Sequence, residues 1–127
     1  MIPLILSLLM VSSPAVDIRL ADQAMEGNLD GVRSLLSQQV DVNSAQGDGM
    51  TALHWAVYRD DLPLAELLIE AKANLEAETR VGAVTPLILA ARNGSGAMIA
   101  ALLKADADPG RAASTGATPL MSAASSG

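Results

Sequence analysis

The chain of 127 residues has no cysteine and no phenylalanine, and His54, Trp55 and Tyr58 are its only histidine, tryptophan and tyrosine. Without cysteine there are no disulfides, thiolate zinc sites, cysteine nucleophiles or CxxC redox pairs. Without phenylalanine, and with the β-branched and aromatic residues of strands scarce, any core is built from Ala and Leu, both good helix formers. The expected fold class is therefore all-α, in about one domain. Basic residues are also few. Eight Lys and Arg stand dispersed against fourteen Asp and Glu, for a net charge of −6. A nucleic-acid partner requires a basic patch that displaces counterions from phosphate, and none is present.

The longest apolar run, Leu4 to Val11 with only Ser7 inside it, is short of the ~20 residues that span a bilayer. Ser12, Ser13, Pro14 and Ala15 follow, and Asp17 is the first charged side chain. An apolar stretch leading into small residues fits a secretory signal over residues 1–15. Ser13 and Ala15 fall at −3 and −1, so cleavage is expected after Ala15, giving a periplasmic or secreted chain with no stable membrane insertion. No Lys or Arg precedes the run, and a buried N-terminal helix or retained anchor is the competing reading.

A single motif recurs through the rest. "TALHWA" begins at Thr51, "TPLILA" at Thr85 and "TPLMSA" at Thr118, with starts 34 and 33 residues apart. One period earlier, "IRLADQA" keeps Leu20 and Ala24 but lacks the threonine. Other marks recur at fixed offsets: Gly27 and Gly94; the pairs Leu35-Leu36, Leu68-Ile69 and Leu102-Leu103; and "VDVN", "ANLE" and "ADPG" at one equivalent place. Glycines 49, 82 and 116 precede the next threonine. Repetition at this period signals a solenoid whose units bury their apolar faces only by stacking.

The local chemistry describes each unit. Thr85-Pro86 and Thr118-Pro119 are a helix N-cap followed by proline at the first helical position, and Thr51 keeps the cap with Ala52 in the proline slot. Gly27 and Gly94 end the first helix in the left-handed conformation, with Asp60 in their place in the second unit. Asp61, Leu62 and Pro63 open a second helix, and Leu64, Leu67 and Leu68 give it an apolar stripe.

These marks make the chain similar to ankyrin repeats, with the T-P-L-H-x-A opening, an A-A-x-x-G helix end and an L-L pair leading to A-D-V-N. The units run over about 17–49, 50–83, 84–116 and a partial 117–127. The resemblance implies a solenoid of helix-turn-helix units with hairpin loops. It departs from the family where glycine usually closes the second helix: Gln39, Lys72 and Asp106 stand there, each expected to cost about 1 kcal/mol if held at positive φ. The hairpin "EAETRVGAV" is one residue longer than its counterparts and is expected to be irregular. The fourth unit stops after its first helix, leaving Leu120, Met121, Ala123 and Ala124 without a covering helix, so truncation of a longer protein is expected.

Reactive-looking residues receive structural roles on this reading. His54 is expected to bond Thr51 and adjoining loop backbone, as the family's histidine does. A zinc site needs three or four ligands and there is no second histidine. Asp60-Asp61 caps a helix, Asp106 and Asp108 fall short of the six to eight oxygens calcium takes, and Gly94-Ser95-Gly96 lacks the strand and lysine of a phosphate loop. No catalytic residue, metal or cofactor is expected. Trp55 is expected to be a packed or half-buried core residue, with a binding hot spot as the alternative.

Function then falls to exposed variable positions. The resemblance implies a concave face of hairpin tips and first helices, assigning partner-binding roles to Asp48, Met50, Tyr58, Arg59, Arg80, Val81, Val84, Arg92, Asn93, Ser114, Thr115 and Ala117, with Met25 and Glu26 from the first unit. Tyr58 and Arg59 are of the types richest in interface energy. The expected function is a monomeric, non-catalytic scaffold for another protein. The alternative is a recognition arm of a larger exported enzyme or receptor.

Overall fold

The computed structural model describes residues 17–126, so the expected signal segment and its cleavage point lie outside the described residues. Among the described residues there are seven helices: α1 (Arg19–Met25), α2 (Leu29–Ser37), α3 (Ala52–Tyr58), α4 (Leu62–Glu70), α5 (Pro86–Asn93), α6 (Gly96–Lys104) and α7 (Pro119–Ser126). The first helices of successive units, α1, α3, α5 and α7, pack side by side, and the second helices α2, α4 and α6 form a layer behind them. This is the all-α solenoid expected from the repeat.

The caps set the helix starts. The hydroxyls of Thr51, Thr85 and Thr118 each accept the backbone N–H three residues on, at 3.3 Å. The second helices are capped by three different residue types: Asn28, Asp61 and Ser95 accept from Gly31, Leu64 and Met98. Helix α1 has no side-chain cap, because Ile18 stands where the threonine would be.

The ends are closed by left-handed residues. Gly27, Asp60 and Gly94 have φ of 73°, 54° and 70° after the first helices, and Gln39, Lys72 and Asp106 have 62°, 69° and 77° after the second. The N–H groups of Val40, Ala73 and Ala107 then reach back to the carbonyls of Leu35, Leu68 and Leu102. The three non-glycine closures expected of the second helices are therefore present, with the strain L-residues carry there.

Leucines, alanines and valines fill the space between layers, and Leu20, Val32, Leu53, Leu64, Leu68 and Leu102 are fully buried. The stack is uneven at its far end. Leu53 and Leu87, one repeat apart, are 0% and 2% exposed, whereas Leu120 at the same repeat position is 78% exposed. A cleft of about 210 Å³ lies beside it, lined by Leu87, Ile99, Leu103, Pro109, Pro119 and Ala123 among others. Leu53 and Leu87 lie in units whose first helix packs on a second, α3 on α4 and α5 on α6.

A ladder of loop contacts runs along the edge of the stack. Asn43 accepts the N–H of Asn74 at 2.6 Å, and Glu76, at the matching position one unit on, accepts the N–H of Asp108 at 2.8 Å. Gly110 holds that position in the third unit and has no side chain to continue it. Among the described residues no helix is long and apolar enough to cross a membrane.

Candidate functional site

Three hairpins stand in a row above the first helices. The first is closed by the Gln46 N–H to Met50 carbonyl bond with Ala45 bridged to Thr51, the second by Thr79 to Val84, the third by Ala113 to Ala117. Neighbouring tips are joined through their backbones: Arg80 N–H donates to Asp48 at 2.9 Å, and Ser114 N–H to Gly82 at 2.8 Å. Gly49 serves this contact directly. Its φ is +84°, and a Cβ there would stand 2.9 Å from the Arg80 nitrogen.

The second hairpin encloses one more residue than its neighbours, and the expected irregularity is visible in its backbone. Gly82 and Ala83 both have positive φ, 88° and 49°. Counted back from the helix-capping threonine, Ala83 occupies the place of Gly49 and Gly116. The Thr79 hydroxyl stitches the loop, donating to the Val81 carbonyl at 2.8 Å and accepting from the Val84 N–H at 3.1 Å.

His54 ties a hairpin to a helix. Its Nδ1 lies 3.2 Å from the Thr51 nitrogen and 3.0 Å from the Thr51 hydroxyl, while Nε2 lies 2.8 Å from the Val84 carbonyl in the next unit. The Thr51 N–H needs an acceptor and the Val84 carbonyl a donor, so the neutral Nε2–H tautomer satisfies both. The ring is fully buried. Burial pushes its pKa below the ordinary value of 6.5, against the opposing pull of the Val84 carbonyl and the Asp48 charge. Both nitrogens are engaged, as expected of a structural histidine.

Trp55 is half-buried against the core. Its indole N–H donates to Gln46 at 2.8 Å, and the Gln46 amide donates to Asp22 of the first unit, also at 2.8 Å. The exposed ring of Tyr58 meets Trp55 edge-on, with centroids 5.5 Å apart and planes at 86°. Tyr58 is 59% exposed. The side chain is thus fixed on its inner edge and open on its outer one.

Two residues expected to face a partner have stacking duties as well. The Arg59 guanidinium crosses back to the Met25 carbonyl at 3.2 Å and lies over Gly27, where a Cβ would stand 2.5 Å from Nη2. Asn93, one repeat on, donates to the Val57 carbonyl at 3.1 Å. Each therefore satisfies the carbonyl end of the preceding first helix, which favours a donor. Arg59 and Asn93 remain exposed, but their polar ends are directed at the array itself. Single-unit sequence reasoning missed this, because donor and acceptor lie 34 and 36 residues apart.

The other expected positions divide similarly. Arg80, Val81, Arg92, Ser114 and Thr115 are exposed. Asp48 is exposed, with its carboxylate accepting from the Met50 N–H. Met50 and Val84 are half-buried, and Val84 is chiefly the acceptor for His54. Met25 and Glu26 extend the face at its near end and are exposed. Among the described residues, no cluster of three or more metal-ligating side chains occurs.

Comparison with known proteins gives a consistent result. A family model described as ankyrin repeats (3 copies) matches residues 20–113. The chain is 40% identical over 55 residues to palmitoyltransferase akr1 of Schizosaccharomyces pombe, covering 42% of this chain and 9% of that protein. It is 40% identical over 80 residues to the neurogenic locus Notch protein of Drosophila melanogaster, 62% of this chain and 3% of that one. It is 40% identical over 87 residues to the nuclear factor NF-kappa-B p105 subunit of Mus musculus, 67% of this chain and 9% of that one. The chain thus spans less than a tenth of each of these relatives, and the proteins that share its repeats differ widely in name.

Proposed function

This chain belongs to the ankyrin-repeat family, and from that premise we propose that it is a non-catalytic scaffold that binds another protein on its concave face. Ankyrin repeats are general protein-interaction modules. The observation that carries the reading for this chain is Tyr58. Its ring is exposed yet braced by Trp55, which is held by Gln46 and through it by Asp22. A large, semi-rigid aromatic that loses little freedom on contact is the usual form of an interface anchor.

Arg80 and Arg92 give the same face positive charge in a chain of net charge −6. The fitting partner is a protein with an acidic or mixed patch. Nucleic acid does not suit the overall charge. Catalysis has no support from the one imidazole, whose two nitrogens are both engaged. We further propose that the array is monomeric, and that Leu4–Val11 and the small residues to Ala15 direct its export. N-terminal sequencing of the mature chain gives Val16 first on this reading, and Met1 against it.

The interaction is tested by affinity capture with the full chain, followed by titration of the captured protein against Tyr58→Ala. Affinity should fall at least tenfold with the far-ultraviolet spectrum unchanged. Unaltered affinity would overturn the assignment of this face.

A further inference from the structure

We propose that the lengthened second hairpin is the specificity finger of the array, presenting Val81 as an apolar contact and Arg80 as its charged neighbour to an acidic peptide segment that carries an aliphatic or aromatic residue. The proposal deepens the concave-face reading and rests on it.

Four observations converge. The hairpin closed by Thr79 and Val84 holds one residue more than those closed by Gln46 and Met50 or by Ala113 and Ala117. That added length is kept despite the strain of Ala83 at φ +49°. At its tip Val81 is 87% exposed, the highest value among the large apolar side chains described. An isolated exposed valine is ordinary on a loop, but this tip is held on every side. Thr79 bonds both the Val81 carbonyl and the Val84 N–H, Asp48 holds Arg80 from one neighbouring hairpin, and Gly82 is held by Ser114 of the other. The backbone of the tip is therefore braced by four hydrogen bonds before anything binds, which lowers one cost of using a loop for recognition.

Charge defines the rest of the partner. Arg111 pairs with Glu78 at 3.2 Å, whereas the exposed Arg80 forms no ion pair among the described residues. Its guanidinium is available to a carboxylate beside the contact made by Val81. An apolar residue flanked by acidic ones is the complement of an exposed valine flanked by an arginine.

The test uses a random peptide library displayed on phage and panned against the full chain. The expected peptides combine Asp or Glu with an aliphatic or aromatic residue. Val81→Ser should weaken the recovered peptides about tenfold or more, since burial of a valine side chain is worth at least that factor. Val81→Ile should retain them. Arg80→Ala should weaken them and flatten the salt dependence. The thermal midpoint of Val81→Ser should match that of the parent chain, because the side chain packs against little. Recovered peptides that bind Val81→Ser as tightly as the parent overturn the finger. If those peptides still lose affinity for Tyr58→Ala, the concave-face reading stands without it; if neither variant matters, both readings fall. Peptides without acidic enrichment overturn the role of Arg80.

Discussion

Nε2 of His54 lies 2.8 Å from the carbonyl oxygen of Val84, thirty residues along the chain, and that bond joins the second unit to the third. The same ring accepts from the Thr51 N–H, so one buried side chain caps a helix and anchors the following hairpin. Replacing it by alanine removes a packed ring and strands a donor and an acceptor. His54→Ala should cost about 2–4 kcal/mol, read as a lowered urea midpoint.

The burial of this imidazole makes stability depend on pH. Unfolded, it protonates near pH 6.5; folded, it does so only at lower pH. Between those values the unfolded chain binds more protons, so acid favours unfolding. This contribution is fully present above pH 6.5 and is lost as pH falls through the folded value. Urea midpoints measured from pH 8 to pH 5 should decline on the acid side, and the decline should be shallower in His54→Ala.

Lys72 closes α4 at φ 69°, a conformation that glycine adopts without steric cost. Lys72→Gly should raise stability by about 0.5–1 kcal/mol, somewhat offset by the greater freedom of glycine in the unfolded chain. A fall in the midpoint would show that the lysine stem contributes packing that outweighs the strain.

Leu87 and Leu120 provide an internal comparison. They share a repeat position, but one is buried and the other open. Leu87→Ala should cost about 2–5 kcal/mol, while Leu120→Ala should cost about 0.5 kcal/mol or less. Equal losses by denaturant titration would mean that Leu120 is covered in solution.

Arg59 and Gly27 are coupled across the first interface. Gly27→Ala should destabilise by about 1–2 kcal/mol, from positive φ and from displacement of the guanidinium. In an Arg59→Ala background the second part disappears, so a double-mutant cycle should give a non-additive result.

Most of the fold was legible in the sequence because its determinants are local. Thr51, Thr85 and Thr118 cap helices three residues on, and Gly27 and Gly94 end them within a turn. The left-handed Gln39, Lys72 and Asp106 were also legible, by position against the repeat. The candidate surface was less so. Whether Arg59 faces outward depends on a carbonyl in the preceding unit, and whether Trp55 is a free ring or a brace depends on Gln46 and Asp22. Such pairings span a whole unit and leave no spacing pattern within one. Ala83 shows the same limit: counting back from Thr85 puts it in the glycine place, but that Gly82 beside it also turns left-handed was not countable.

The edge ladder gives the array a mechanical direction. Each clasp joins one unit only to the next, Asn43 to Asn74 and Glu76 to Asp108, and the series stops at Gly110. Tension applied between the ends is therefore carried by links in line rather than shared across one sheet of bonds. Each clasp is one hydrogen bond between two neighbouring units, so the units part pair by pair at these links. A stretched molecule should lengthen in unit-sized steps, each new end resembling the last, as a rope unlays strand by strand.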